Sequence, residues 1–348
     1  MTSAWPCIEK WRRRTESGSS DIPNLSALRN FAHHLVQVAD CSARRYNEFD
    51  REERPLGDIL DLWEKEDESG RTLYVKDWHQ ALLLEKDGGK QDRVYTTPDV
   101  FQGQYHRGSL MVRDLHQKPI TDDWMTHHAL TLDPPDDYRF TYAGPRGTYT
   151  PLHRDVYGSY SWSSNIVGRK RWWLIPPEHT DIVWTRPGGN EVVFDLRELD
   201  ETLWRGKVLQ VVQEAGETIF VPSGWYHQVE NLDFVSGRHT ITSKRLLTER
   251  LQCISINQNF ASSHIMPTIY RNLLESQARV EEAISDVKAL LRDHAVQSID
   301  SSKTVDSDVQ PWEFEWLNQV QSLLEMDAGW GLRGFWGMVL HNLRVRIA

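Results

Sequence analysis

The sequence predicts an all-β core with helices at its N-terminal and C-terminal ends. Between about residues 138 and 260, short apolar runs alternate with glycine and proline, which is typical of many short strands joined by turns. The runs that carry this pattern are Arg139–Ala143, Trp172–Ile175, Val208–Val212, Thr218–Val221 and Ile254–Ile256. Beyond residue 263 the spacing of apolar residues becomes that of a helical face. An antiparallel barrel or sandwich with a helical C-terminal region is the simplest architecture.

The N-terminal part is expected to contain an extension followed by the first elements of the core. Residues 1–35 form the extension and residues 36–262 form the core domain in this interpretation. Apolar periodicity and turn residues define the boundaries of the elements. The expected elements are a helix over Leu25–Leu35, a strand over Val36–Ala39, a helix over Leu56–Trp63 and a strand over Leu73–Trp78.

Residues 263–348 are predicted to be helical. One long helix is indicated by apolar residues three, four and seven positions apart, at Ile269, Leu273, Val280, Ile284, Val287 and Leu291. A polar linker over residues 298–308 separates it from two further helices, which begin near Trp312 and near Phe335. These helices are expected either to pack on the barrel or to join two chains as a homodimer.

Composition and charge restrict the class of protein. The 348-residue chain has a formal net charge of −10, which argues against tight phosphate binding and favours a basic protein as partner over a nucleic acid. No apolar run is long enough to span a membrane. The N-terminus has no secretory h-region. The three widely spaced cysteines fit neither a disulfide framework nor a zinc motif, so we expect reduced thiols and a cytoplasmic or nuclear protein.

Two histidines and one aspartate form a candidate metal site. His153 and Asp155 stand two positions apart in a predicted strand, so both side chains can point to one face. An HxD pair alone is a weak signal, because an exposed histidine beside an unrelated aspartate is common. The proposed third ligand is His227. Two histidines and one carboxylate leave open positions on an octahedral metal, as in the facial triad of non-haem iron(II) oxygenases.

The segment around His227 strengthens this interpretation. Residues 216–231 fit the pattern GxxxxxPxGxxHxxxN, which resembles the second signature motif of the cupin barrels. In that motif the glycines and the proline form a tight turn that directs the histidine into the mouth of the barrel. Lys170 lies in an apolar strand 17 residues after His153. A lysine there is costly unless its charge is paired, and a bound dicarboxylate would supply the partner. A lysine at the surface is the alternative.

The segments that contain these residues closely resemble the JmjC oxygenases. The resemblance covers about residues 36–260, and it implies a double-stranded β-helix, a cupin-like jelly roll. It also implies Fe(II), 2-oxoglutarate and O2, with His153, Asp155 and His227 as metal ligands and no catalytic side chain beyond the metal centre. Within the family, residues 142–177 resemble the lysyl hydroxylases that act on a translation release factor.

The resemblance further assigns residues to 2-oxoglutarate. Lys170 would pair with its far carboxylate, and Thr150 would donate its hydroxyl to the same group. Tyr142 and Asn257 are weaker candidates for contacts with the cosubstrate. Trp162 is expected to belong to the core of the barrel.

Two segments depart from the family pattern. Residues 234–252 and residues 103–120 interrupt regions that the family joins almost directly. We expect either introns retained in the gene model, of a length typical of fungi, or surface loops, since closure entropy grows slowly with loop length.

Several alternative functions remain open at this stage. A JmjC histone lysine demethylase, a JmjC tRNA hydroxylase and a zinc hydrolase are enzymatic alternatives. A cupin-like protein that binds metal without turnover belongs to a different class, and it would not require Lys170 and Thr150.

Overall fold

The computed structural model describes most of the chain. The described residues are 5–14, 21–64, 70–86, 94–101, 122–185, 191–232, 251–298, 310–328 and 330–347. Residues 102–121 and 233–250 lie outside this set, and with them all of the segment 103–120 and residues 234–250 of the segment 234–252, both interpreted above as introns or loops. Most of the predicted linker over residues 298–308 also lies outside it.

Antiparallel strands form the core, as predicted. The first strands are β1 (Arg12–Arg14), β2 (Asp21–Pro23), β3 (Leu35–Arg45), β4 (Glu48–Pro55), β5 (Leu73–Trp78), β6 (Arg139–Pro145) and β7 (Tyr149–Arg154). They are followed by β8 (Tyr160–Val167), β9 (Arg169–Ile175), β10 (Leu209–Gln213), β11 (Thr218–Val221), β12 (Tyr226–Leu232) and β13 (Leu251–Phe260).

Helices flank the strands. Those before and within the strand region are α1 (Pro6–Lys10), α2 (Leu25–Leu28), α3 (Leu56–Glu64), α4 (Gln80–Lys86), α5 (Trp124–Ala129) and α6 (Glu201–Trp204). Those after it are α7 (Met266–Ala283), α8 (Ser285–Ser298), α9 (Pro311–Ala328) and α10 (Leu332–Ile347). No helix of the described residues is long and apolar enough to cross a membrane.

Two sheets enclose the interior of the core. One sheet has the strand order β10-β9-β12-β7, and the other has the order β11-β8-β13-β6-β5-β3-β4. Neighbouring strands such as β12 and β9 pair antiparallel over seven residues, from Tyr226 opposite Ile175 to Leu232 opposite Arg169. Side chains of both sheets line one cavity, because alternate residues of each strand point inward.

The apolar core lies mainly outside this cavity. The predicted apolar face of α3 is buried, and it joins a cluster with β3, β5, β8 and β13. Trp5, Cys7 and Trp11 belong to the same cluster, so the described N-terminal residues pack on the barrel. A second cluster joins α5, α7 and α10 to Tyr157. The C-terminal helices therefore contact the barrel near the strand that follows Tyr157.

Two predicted helices differ from the observed ones. The long C-terminal helix is interrupted at Ile284, which has φ −114° and ψ 25°, and α8 begins at Ser285. Apolar spacing continues across this interruption, so the periodicity does not reveal it. The predicted helix from Leu25 ends at Leu28 and continues only as a 3-10 turn to Phe31. The following strand starts at Leu35, because pairing with β4 and β5 stabilises the extended backbone there.

Candidate metal centre and adjoining cavity

Two paired strands bring His153, Asp155 and His227 together. His153 on β7 lies directly opposite His227 on β12 in the antiparallel register. Their ring centroids are 4.2 Å apart, and the Nε2 atom of His227 is 4.0 Å from the Oδ2 atom of Asp155. One potential ligand atom from each of the three residues lies within 4.8 Å of the others. This arrangement can coordinate a single divalent metal ion.

Asp155 lies just beyond the strand on which the sequence analysis placed it. β7 ends at Arg154, and Asp155 precedes a short 3-10 turn. Its ψ of 149° remains extended, so the side chain keeps the same orientation as that of His153. The hydroxyl of Ser161 donates a hydrogen bond of 2.7 Å to Oδ2 of Asp155 and orients the carboxylate.

Both histidines direct Nδ1 toward a backbone carbonyl. The Nδ1 atom of His153 is 2.8 Å from the oxygen of Pro151, and that of His227 is 3.5 Å from the oxygen of Trp225. A carbonyl oxygen only accepts, so Nδ1 carries the proton and Nε2 offers a lone pair. Burial and the neighbouring His227 lower the pKa of His153 to about 3. The imidazole of His153 is therefore neutral, as a metal ligand must be.

Lys170 lies at another part of the same cavity. It is only 2% exposed, and its Nζ atom donates to Oδ1 of Asn231 at 2.9 Å and to the hydroxyl of Tyr74 at 3.4 Å. Within the described residues, no carboxylate lies within 4.0 Å of this ammonium group. Burial opposes the charge, but the interactions with Tyr74 and Cys253 raise the pKa of Lys170. A buried cation with this environment favours an anionic ligand.

Two residues that line the cavity have buried polar atoms without a partner. Oδ1 of Asn257 and Oγ of Ser163 form no hydrogen bond with any described residue. Such groups are costly when buried, so a small polar ligand would satisfy them. The residues that line the cavity are Tyr74, Tyr142, Thr150, His153, Asp155, Ser161, Trp162, Ser163, Lys170, Trp172, His227, Val229, Asn257 and Asn259.

The remaining sequence-predicted residues therefore all lie around this cavity. Thr150 and Asn257 line it directly. Tyr142 lines it as well, but its hydroxyl already donates a hydrogen bond of 2.7 Å to Asp77. Trp162 borders the cavity, and its fully buried ring packs in the core cluster against Trp5 and Phe101.

Sequence reasoning missed several residues of the site. Tyr74 contacts Lys170 although the two residues are 96 positions apart in the sequence. Only the alternation of inward and outward side chains along the predicted strand could have indicated that Tyr74 points inward. Asn231 was part of the recognised motif, but its contact with Lys170 was not anticipated. Ser161 stands six residues after Asp155 and carries no signal of its own in the sequence.

A second cluster contains the same residue types. His79, Asp136 and Asp137 also bring three potential ligand atoms within 4.8 Å of one another. Nδ1 of His79 is 2.6 Å from Oδ1 of Asp137, and Nε of Arg139 is 2.6 Å from Oδ2 of the same residue. The buried carboxylate of Asp137 is thus already neutralised by Arg139.

Comparison with known proteins identifies a consistent group of relatives. The family model described as "Cupin-like domain" matches residues 1–264. Arginine-specific demethylase JMJ20 of Arabidopsis thaliana is 32% identical over 299 residues, which are 84% of this chain and 58% of that protein. Human 2-oxoglutarate and iron-dependent oxygenase JMJD4 is 32% identical over 297 residues, 82% of this chain and 60% of that protein.

A fungal protein is similar over more of the chain. JmjC domain-containing protein 1 of Schizosaccharomyces pombe is 28% identical over 346 residues, 94% of this chain and 61% of that protein. The chain thus spans about three fifths of the length of these curated relatives.

Proposed function

The chain belongs to the cupin-like domain family, with JmjC proteins among its relatives, and from this membership we propose that it is an iron(II)- and 2-oxoglutarate-dependent oxygenase. The observation that carries the proposal is a single cavity that contains two complementary features. One is the group of His153, Asp155 and His227, and the other is the buried ammonium of Lys170. A metal-binding protein without turnover would not need the second feature.

Each residue has a definite role in this proposal. His153, Asp155 and His227 would hold iron(II), since two neutral imidazoles and one carboxylate form a suitable ligand set for it. Lys170 would bind the far carboxylate of 2-oxoglutarate through a charge-assisted hydrogen bond, and Thr150 would donate its hydroxyl to the same group. Tyr142 and Asn257 would line the bound cosubstrate.

Iron, when bound, supplies the oxidation chemistry, in which one C–H bond, O2 and 2-oxoglutarate give C–OH, succinate and carbon dioxide. The protein positions the reactants and excludes water. The indole of Trp172 lies nearly parallel to the ring of His227, with centroids 5.8 Å apart, and Val229 adds an apolar wall. These side chains support a dry environment next to the metal ligands.

The proposed substrate is a basic protein, and we propose in particular a lysine of a translation release factor. The resemblance to lysyl hydroxylases and the net charge of −10 support this choice. A second candidate is a methylated arginine, because the Arabidopsis thaliana relative is named an arginine-specific demethylase. Both candidates are cationic side chains, and both require oxidation of a C–H bond.

One experiment distinguishes the two substrates. The purified protein is incubated with iron(II) and 2-oxoglutarate, together with recombinant release factor or with a peptide that contains methylarginine, and the products are analysed by mass spectrometry. Lysyl hydroxylation adds one oxygen to the release factor, whereas demethylation removes one methyl group and releases formaldehyde. The variant His153→Ala serves as the inactive control. Absence of any metal-dependent succinate production with either substrate would contradict the proposal.

We also propose that the C-terminal helices join two chains. Apolar side chains of α9 and α10 are exposed, among them Phe314 at 64% and Trp336 at 47%. Light scattering should then give about twice the mass of 40.5 kDa. A mass of one chain would contradict the dimer without affecting the enzymatic proposal.

A further inference from the structure

The loop that carries the metal-binding carboxylate has an unusual backbone. This segment, residues 155–159, is called the carboxylate loop below. Tyr157 has φ +60° and Gly158 has φ +64°, both in the left-handed region. For a residue with a side chain, such as Tyr157, that region is unfavourable because the Cβ atom crowds the following carbonyl oxygen. The conformation of the loop therefore depends on contacts that hold it in place.

Those contacts come from the C-terminal helical region. The indole of Trp330 stacks on the ring of Tyr157, with centroids 3.8 Å apart and planes at 25°. The ring of Tyr138 meets the indole of Trp330 edge-on, with centroids 6.1 Å apart and planes at 80°. Tyr157 is only 8% exposed and belongs to the cluster built by α5, α7 and α10, which Trp330 joins as a half-buried member.

A second contact comes from α7. Nδ2 of Asn272 donates a hydrogen bond of 3.3 Å to the backbone oxygen of Tyr157. The same nitrogen would lie 2.6 Å from a Cβ atom at Gly158, so the helix approaches the loop as closely as a glycine permits. Asn272 and Trp330 thus contact the two residues of the loop that have a left-handed backbone, Tyr157 and Gly158.

The carboxylate loop is also joined to the turn that precedes His227. The hydroxyl of Ser223 donates a hydrogen bond of 2.5 Å to the backbone oxygen of Gly158. Ser223 lies in the turn between β11 and β12, four residues before His227. A displacement of the loop would therefore move Asp155 directly and disturb the turn that delivers His227.

We propose that Trp330 and Asn272 are positioning residues of the metal centre, which act through Tyr157 and Gly158 on Asp155. This inference rests on the proposed function, since it assumes that the three residues bind a metal. The C-terminal helices then have a role beyond packing, because they hold the carboxylate at the point shared with the two imidazoles. Partners that orient metal ligands typically change metal affinity by 10- to 100-fold when they are removed.

The test measures binding of manganese(II), a redox-stable probe, to the full chain by calorimetry, without any turnover. Trp330→Ala should raise the dissociation constant at least tenfold, and Asn272→Ala should raise it severalfold. Trp330→Phe keeps an aromatic ring on Tyr157 and should restore most of the affinity. Trp336→Ala is the matched control, since Trp336 lies on α10 but contacts Tyr270 and Phe335 instead of the loop. Its affinity should equal that of the unmodified protein.

A second measurement separates positioning from general stability. The visible absorption spectrum of the cobalt(II)-loaded protein reports ligand geometry, and it should change in Trp330→Ala and remain unchanged in Trp336→Ala. If Trp330→Ala does not fold, Trp330→Leu, which keeps an apolar side chain there, replaces it. A lower melting temperature with unchanged manganese affinity and an unchanged cobalt spectrum would overturn the inference. Failure of the unmodified protein to bind manganese would instead contradict the proposed function on which the inference rests.

Discussion

Two clusters of histidine and aspartate in this protein differ in what surrounds them. In the cluster of His79, Asp136 and Asp137, Arg139 forms an ion pair of 2.6 Å with the buried Asp137. In the cluster of His153, Asp155 and His227, no lysine or arginine of the described residues forms an ion pair with Asp155. The carboxylate of Asp137 is therefore already paired with an arginine. The carboxylate of Asp155 has no such partner and is available to a bound metal cation.

The histidines respond to these surroundings in opposite directions. Burial opposes a proton on His79, but the hydrogen bond and the charge of Asp137 outweigh it and raise the pKa of His79. Burial and His227 lower the pKa of His153. A metal binds the neutral imidazole, so the raised pKa of His79 disfavours a metal at the first cluster, whereas the lowered pKa of His153 favours one at the second. Residue types alone therefore do not identify a metal site; the nearby charges do.

The strongest test of this difference replaces one histidine in each cluster. His153→Ala should reduce 2-oxoglutarate turnover at least 100-fold, because one of three proposed metal ligands is lost. His79→Ala should leave turnover within about twofold, because His79 does not line the metal cavity and its loss affects mainly the pairing with Asp137. Circular dichroism checks that both variants fold. Equal loss of activity in the two variants, measured as succinate release, would remove the distinction between the clusters.

A second test concerns Lys170, the buried cation that lines the metal cavity. Lys170→Ala should raise the KM for 2-oxoglutarate at least tenfold, because a charge-assisted hydrogen bond contributes about 1.5–3 kcal/mol. Arg139→Ala is the control, since Arg139 pairs with Asp137 and Glu85 and not with a residue of the cavity. The KM of this control should remain unchanged. An unaltered KM in Lys170→Ala would exclude the proposed contact with the cosubstrate.

The smallest expected effect is the pH dependence of the His79 pair. The folded-state pKa of His79 is raised, so its contribution to stability is present below its usual pKa and is lost as the pH rises through the raised value. His79→Ala should therefore lower the free energy of unfolding by about 1 kcal/mol more at pH 5.5 than at pH 9. Urea denaturation at both pH values measures this difference. A larger loss at pH 9 would show that the sign is wrong.

Much of the fold could be predicted from local patterns. The strands around β6, β9, β11 and β13 and the helix α3 are confirmed, because alternation and helical spacing depend on neighbouring residues alone. The family and its cupin-like fold are also confirmed. The division of the chain at residues 35 and 262 stays a prediction. The interruption at Ile284 was missed, since Ser285 and Asp286 form a helix start inside an unbroken apolar pattern.

The sequence by itself determined which side chains are available and how far apart they stand along the chain. The two-residue spacing of His153 and Asp155 predicts a shared face. His227 was predicted from the motif around it, and Lys170 from its place in an apolar strand and from the family resemblance. Only the tertiary structure decided which charges remain without a partner. Tyr74 reaches Lys170 across 96 positions, and Trp330 covers Tyr157 through the packing of the C-terminal helices. Charge compensation and stacking depend on long-range packing, which no local spacing encodes.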